Sequence, residues 1–170
     1  EGLSEDPLSN RKAQALLFVL FTYLILGAMI FDFQLVNTSL KPADLEMIQW
    51  VKGNINERKT FLLSTGREFS MSDPMQEWFP ALTSQYSVTT LQGLEWTLNE
   101  LFFPWHSELV AFQHCADLNC VTNWSGKNKI NYDYLLVTVP ASEDKSILAD
   151  SLRNLALSAK ASPSYTVVYE

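Results

Sequence analysis

Basic residues are scarce in this 170-residue chain, and they are scarcest in its middle. The formal net charge is −7, and between Thr60 and Ser125 there is one base, Arg67, against seven acids. The acids are Glu68, Asp73, Glu77, Glu95, Glu100, Glu108 and Asp117. Because phosphate backbones are bound by clustered Lys and Arg, the composition argues against a nucleic-acid partner. The length suits one modest domain with an appended segment.

Glycine and histidine are also few, and each shortage weakens a class of active site. The six Gly are scattered, so the chain lacks a glycine-rich loop that would hold a phosphate. The two His fall in one expected helix, and Ser107 beside His106 lacks the strand–turn–helix setting of a nucleophilic serine. No two acids are fixed at the separation that a glycosidase needs. We therefore expect no cofactor and no metal, and we assign no catalytic residue.

Only two cysteines are present, Cys115 and Cys120, in the stretch HCADLNC. In an oxidising compartment this spacing predicts a local disulfide, which stabilises modestly because the loop is short. The alternative is a metal site completed by His106 and His114, although the spacing differs from the usual zinc patterns. In the cytoplasm, two free thiols would be expected instead.

A long apolar run near the start is the strongest signal in the chain. In KAQALLFVLFTYLILGAMIFD, nineteen residues between Lys12 and Asp32 carry no charge. As a helix they would span roughly 28 Å, close to the hydrocarbon thickness of a bilayer. We predict a transmembrane helix over residues 13–36, with a signal anchor as the nearest alternative. A buried core helix would show a polar face, and a cleaved signal peptide would end at small residues.

The charges beside this run predict its orientation. Arg11 and Lys12 precede it, whereas Asp32 and Asp44 follow it. The positive-inside rule then makes residues 1–12 a cytoplasmic flank and residues 37–170 an extracytoplasmic domain in the cell envelope. The lipid bilayer is accordingly the first expected partner.

Residues 37–170 alternate between helical and extended patterns, which is typical of an α/β layer domain with a largely parallel sheet. Four strands are expected, in KTFLLST, YSVTT, NYDYLLVTVP and SYTVVYE. The continuous apolar run of NYDYLLVTVP predicts a strand that is buried on both faces.

Three helices are expected, one before the first strand and two between later strands. One starts at Pro42 and ends at Gly53 and Asn54, and another follows Ser142 as its cap. The third, EWTLNELFFPWHSELVAFQHCADL, is expected to be interrupted at Pro104. Residues 67–80 are predicted to be turn-rich, since they contain two prolines.

Several fragments together resemble one group of membrane proteins. They are MIQWVKGNINERKTFLLSTG, SDPMQEWFPALTSQYSVTTLQGLEW, YDYLLVTVP and YTVVYE. They resemble the extracytoplasmic C-terminal region of bacterial and archaeal polytopic proteins of the GT-C glycosyltransferase-like class. The resemblance covers about residues 13–170 and is most specific in EWFPALT and QGLEW.

The resemblance implies transfer of a sugar from a lipid-linked donor, with a catalytic carboxylate near the first transmembrane helices. This chain offers one such helix, and the strand that usually follows YTVVYE is missing. We therefore expect a fragment without the catalytic part, whose partner is the missing transmembrane region of a parent protein.

The acidic, aromatic stretch 73–96 is the candidate binding surface, because it contains two Glu-Trp pairs. The expected substrate-binding residues are Asp73, Glu77, Trp78, Gln92, Glu95 and Trp96. Carboxylates and amides hydrogen-bond to hydroxyl groups, while an indole covers the apolar face of a sugar. Asp73, Glu77 and Glu95 are expected to form an acidic cleft that solvent can reach. We expect this cleft to shape a saccharide or acceptor site and not to perform catalysis.

Two alternatives stay open. In the first, the large apolar residues of this stretch form a core, while Glu77 and Glu95 are solvated or cap helix starts. These apolar residues are Trp78, Phe79, Leu82 and Trp96. At the level of function, the chain would be a single-pass membrane protein whose outer domain is a non-enzymatic interaction module.

Overall fold

The computed structural model describes residues 11–36, 39–67, 70–139 and 147–170 and divides the chain into two units. The first unit ends at Ser39, and its described part is dominated by helix α1, Arg11–Val36. The second unit begins at Leu40 and contains the sheet.

Helix α1 is long and apolar enough to cross a membrane. Its segment Arg11–Ile30 has a mean hydropathy of 2.2, and none of that segment is buried in protein. Phe18 and Tyr23, which point in different directions around the helix, are each 73% exposed. The Thr22 hydroxyl donates to the Phe18 carbonyl at 2.8 Å, so this polar group is satisfied within the helix. The predicted apolar helix is confirmed.

The second unit contains a three-stranded parallel sheet with the order β2-β1-β3. Its strands are β1 (Thr60–Ser64), β2 (Tyr86–Ser87) and β3 (Tyr134–Val137). The register pairs Phe61 with Ser87 on one side and Leu62 with Leu135 on the other. Together with the helices, this sheet confirms the predicted α/β class.

Among the described residues, the second unit has six further helices. They are α2 (Pro42–Asn54), α3 (Pro74–Thr83), α4 (Glu95–Leu98), α5 (Phe102–Gln113), α6 (Leu118–Lys127) and α7 (Ile147–Ala161). Short 3₁₀ turns cover Ser70–Ser72 and Asn99–Leu101. The helix that starts at Pro42 has the predicted bounds, while the expected cap Ser142 lies outside the described residues.

Strand β1 is buried on both faces because helices pack against each of them. Phe61 and Leu63 join one core cluster with the apolar side chains of α2 and α3. Leu62 points the other way and joins a second cluster, which is built from α5, α6 and α7. The alternation along β1 therefore divides the core into two layers.

The strand predicted in NYDYLLVTVP is confirmed over Tyr134–Val137, but its expected burial on both faces and the strand expected in SYTVVYE are wrong. All four residues of β3 are half-buried, since β3 lies at an edge of the sheet and β1 takes the central position. The segment SYTVVYE forms no strand. Its aromatic side chains are instead held by side-chain contacts: Tyr165 meets the hydroxyl of Tyr132, and the ring of Tyr169 lies 5.2 Å from that of Trp50.

The turn-rich prediction for residues 67–80 is also wrong, because α3 begins inside that range. Pro74 occupies its first turn, where a missing N–H costs nothing. Pro80 lies inside the helix and leaves the Gln76 carbonyl without its usual donor. The Thr90 hydroxyl donates to that carbonyl at 2.7 Å, which explains why the proline is tolerated.

The helix is interrupted, but not at Pro104 as expected. The chain breaks at Asn99, whose φ is 48°, and Pro104 falls in the first turn of α5. Helix α6 was not predicted at all. Asp117 is its N-cap, since this side chain accepts from the Cys120 N–H at 2.8 Å.

The predicted disulfide is confirmed, with Cys115 and Cys120 at bonding distance and their Cα atoms 5.4 Å apart. It connects the residue just beyond α5 to the first turn of α6. Because both thiols are used in this bond, neither is left as a thiolate ligand for the alternative metal site.

We expect Gly66→Ala to destabilise the second unit. Gly66 has a φ of +68°, and an added Cβ would lie 2.5 Å from Cδ1 of the buried Leu152. Left-handed strain and overpacking together give a loss of about 2–4 kcal/mol in the free energy of unfolding. Urea unfolding in detergent, followed by tryptophan fluorescence, measures it.

Gly93→Ala is the matched control for this substitution. Gly93 has a φ of +81°, but an added Cβ there meets nothing within 4 Å. It should lose only the strain contribution, about 1–2 kcal/mol. Equal losses in both variants would contradict the inferred clash with Leu152.

Candidate functional site

Asp73 is a buried residue at the start of α3, and only 2% of it is exposed. Its carboxylate accepts from the Met75 N–H at 3.1 Å and from the Thr65 hydroxyl. The guanidinium Nε of Arg67 lies 4.0 Å from the same carboxylate. Burial raises the pKa of Asp73 above its usual range, while these hydrogen bonds and Arg67 act in the opposite direction.

This burial corrects the expected acidic cleft. Asp73 is not reachable from solvent, and the one base of the region, Arg67, lies beside it. Asp73 caps α3 and fixes the start of the helix, so its role in this structure is positioning.

A buried polar network surrounds the carboxyl end of β1. The Leu63 carbonyl accepts from Nε2 of Gln76 and from Nε2 of Gln113, each at 2.9 Å. Oε1 of Gln113 accepts from the N–H groups of Thr65 and Gly66 at 2.9 and 3.0 Å. Both glutamines are 1% exposed, so the network holds the loop after β1 without help from solvent.

The same network anchors the loop between β2 and α4 to helix α3. The Thr89 hydroxyl donates to Oε1 of Gln76 at 2.8 Å and accepts from the Leu63 N–H at 3.2 Å. The neighbouring Thr90 donates to the Gln76 carbonyl. These bonds place the residues that follow, 91–93, against the first half of α3.

Glu77 and Gln92 meet at the surface as a result. Nε2 of Gln92 donates to Oε1 of Glu77 at 3.2 Å. Trp78, the next residue of α3, is 48% exposed, so it is not the core residue of the alternative interpretation. We call Glu77, Trp78 and Gln92 the α3 surface.

Glu95 and Trp96 lie on a different element, the short helix α4. Glu95 occupies its first turn, where an acid suits the helix dipole. Trp96 is 82% exposed, so it too lies outside the core. The six expected residues therefore occupy three settings: Asp73 inside, three residues on the α3 surface, and two on α4.

The sequence interpretation missed Thr65, Gln76, Thr89 and Gln113. A helical signal existed for Gln76, which shares a buried face with Phe79 and Thr83. It was overlooked because α3 was read as a turn. Gln113 ends an apolar helix, and its partners lie 47 to 50 residues earlier, so spacing along the chain carries no sign of them.

No family model, no curated protein and no solved structure matches this chain. Its function must therefore be argued from the chemistry of its own residues.

Asp73→Ala should destabilise the second unit by about 1–2 kcal/mol, the usual value of an N-cap. Asp73→Asn is the matched control, because Asn also caps helices well. Urea midpoints of both variants and of the wild type measure the difference at pH 7. Equal losses in both variants would contradict the capping role.

The raised pKa of Asp73 sets the sign of the pH dependence. The folded state holds this proton more tightly than the unfolded state does, so the contribution to stability is present below about pH 3.9. It is lost as the pH rises through the raised value. As the pH rises above about 4, we expect the free energy of unfolding of the wild type to fall relative to that of Asp73→Asn. A rise would show that burial does not outweigh the hydrogen bonds and Arg67 in setting the pKa of Asp73.

Proposed function

We propose that this protein is a membrane-anchored component whose second unit lies outside the cytoplasm and shapes a saccharide or acceptor site. In this proposal the chain itself does not perform catalysis. The observation that carries the proposal is the Glu77–Gln92 contact, together with the half-exposed Trp78 that follows Glu77 in α3.

The chemistry of the α3 surface suits a hydroxyl-rich ligand. The hydrogen bond to Glu77 uses one N–H of Gln92, so the amide keeps a second donor and its carbonyl acceptor. The second carboxylate oxygen of Glu77 is a further acceptor. The indole of Trp78 offers an apolar face of the size of a sugar ring, with an N–H at its edge.

The α3 surface is also held in place before any ligand arrives. Thr89 and Thr90 fasten the loop that carries Gln92 to Gln76 on α3. Asp73 fixes the start of the same helix. A preorganised site loses less conformational entropy on binding, which favours recognition of weakly bound polar ligands.

Anchoring and compartment are supported by two independent features. Helix α1 has the length and hydropathy of a membrane span, and Arg11 and Lys12 at its start favour a cytoplasmic N-terminus. The disulfide between Cys115 and Cys120 suits an oxidising compartment on the far side.

The resemblance to GT-C glycosyltransferase-like proteins supplies the functional context of the proposal. A single span cannot form the core that binds a lipid-linked donor, so a multi-span transmembrane region is the proposed partner. The acceptor side is the part to which the α3 surface would contribute.

A non-enzymatic interaction module is the second candidate. It is favoured by the large apolar side chains that the second unit exposes, among them Trp96 and Phe103. Such side chains are typical of surfaces that are covered by a partner.

Saturation-transfer NMR tests the saccharide proposal directly. The full chain is studied in a detergent without a sugar headgroup, with methyl glycosides of glucose, galactose, mannose and N-acetylglucosamine as probes. We expect magnetisation to be transferred from the wild-type protein to at least one glycoside. Trp78→Ala should bind that glycoside about tenfold more weakly, equivalent to a loss of about 1.4 kcal/mol of binding free energy.

Tyr86→Ala is the control, because Tyr86 is an aromatic of similar exposure, at 52%, outside the α3 surface. It should bind as the wild type does. Binding that persists in Trp78→Ala and Glu77→Ala, or transfer to none of the four glycosides, would overturn the saccharide proposal.

Reporter fusions after Glu170 test the orientation. We expect alkaline phosphatase to be active and green fluorescent protein to be dark, since the first needs an oxidising compartment and the second fails to mature after export in an unfolded state. Arg11→Glu with Lys12→Glu should reduce this bias, because it removes the positive flank. Bright fluorescence with inactive phosphatase would place the second unit in the cytoplasm.

A further inference from the structure

The segment between β2 and the body of α5 exposes three large apolar side chains within eight residues. Trp96 is 82% exposed, Leu101 is 66% exposed and Phe103 is 75% exposed. We call these three residues the apolar ridge. The same segment already supplies the core through other side chains, such as the buried Phe102 and the partly buried Leu98. The ridge is therefore surplus to the needs of folding.

An open groove of about 520 Å³ lies next to this ridge. Its walls are mostly apolar and include Tyr86, Leu101, Pro104 and Trp105. Leu101 belongs to both the ridge and the groove, and Phe103 precedes Pro104 of the groove wall, so the ridge adjoins the groove through α5 and the turn before it. A groove of this kind has the chemistry of a site for a hydrocarbon chain.

The charges around the ridge help to identify its partner. Glu95 and Glu100 lie in the same segment, and residues 92–126 contain no Lys or Arg. The groove wall includes Glu108, and the nearby cation Lys127 is paired with it at 2.7 Å. Attraction to anionic headgroups is therefore not the source of binding, and insertion of apolar side chains must supply it. Tryptophan prefers the boundary between headgroups and hydrocarbon, where its ring is apolar and its N–H stays hydrated.

The chain itself keeps a lipid surface within reach. Residues 37–41 connect the end of α1 to the start of α2. An extended connection of this length reaches at most about 20 Å. If α1 crosses a bilayer, the second unit is held at that bilayer, and the effective concentration of lipid is high.

We propose that the apolar ridge inserts into the interfacial layer of the bilayer and that the adjoining groove receives part of a lipid acyl chain. This inference rests on the membrane anchoring of the proposed function. Gln92 precedes Trp96 by four residues, so docking through the ridge would keep the α3 surface close to the headgroups. A lipid-linked saccharide would then be the substrate class that this surface meets.

Quenching by brominated lipid tests the inference in the full chain. The protein is reconstituted in phosphatidylcholine vesicles whose acyl chains carry bromine near the headgroup. Helix α1 contains no Trp, so the tryptophan emission comes only from the second unit. We expect the wild type to be quenched, and Leu101→Ser with Phe103→Ser to lose most of that quenching although Trp96 is still present.

Leu157→Ser is the matched control, because it removes an apolar side chain of α7 that is 64% exposed and lies outside the ridge, and it should leave the quenching unchanged. Near-ultraviolet circular dichroism checks that the ridge variant is folded. A binding surface for a basic peptide or protein, rather than for lipid, would give no quenching in the wild type.

The outcomes separate the two proposals. Suppose that alkaline carbonate cannot extract the chain from the vesicles and that the tryptophan emission is not quenched. This result would overturn the ridge inference and leave the anchoring intact. Extraction of the chain by carbonate would overturn both. Loss of glycoside binding in detergent would concern the α3 surface alone.

Discussion

The second unit depends on how the backbone of β1 is satisfied where its neighbour β2 ends. Strand β2 has two residues, so the N–H and carbonyl of Leu63 have no strand partner on that side. Buried backbone groups without partners are costly. The Thr89 hydroxyl accepts from the N–H, and Gln76 and Gln113 both donate to the carbonyl. Three elements (α3, α5 and the loop after β2) are thereby fixed to one residue of the central strand.

The candidate site follows from this constraint. Gln76 is buried to satisfy β1, and its neighbour Glu77 is therefore turned toward the surface of the same helix. The threonines that hold Gln76 also bring Gln92 to Glu77. The Glu77–Gln92 contact is thus a by-product of the way in which the strand end is closed.

Local signals were sufficient to predict α1, α2 and β1, since a long apolar run, a proline at a helix start and a short apolar strand lie within one segment each. Helix α3 was missed because the group that replaces the N–H of Pro80 is Thr90, on a later loop. The sequence predicts a surface position for Asp73, whereas the structure buries it, because its partners Thr65 and Arg67 become neighbours only after the chain folds back. Glu77 and Gln92, which the sequence places in one candidate site, are in contact in the structure. No local pattern distinguishes them from Glu95 and Trp96, which lie on α4.

The position of β3 at the sheet edge has a consequence for handling the protein. Within the described residues, its outer side carries no strand, and an open groove of about 1510 Å³ is lined both by β3 and by the segment that contains Tyr165 and Tyr169. Unpaired edges are templates for pairing with other chains. Conditions that loosen the tyrosine contacts would uncover this edge, and purified material would then self-associate through β3 as its concentration increases.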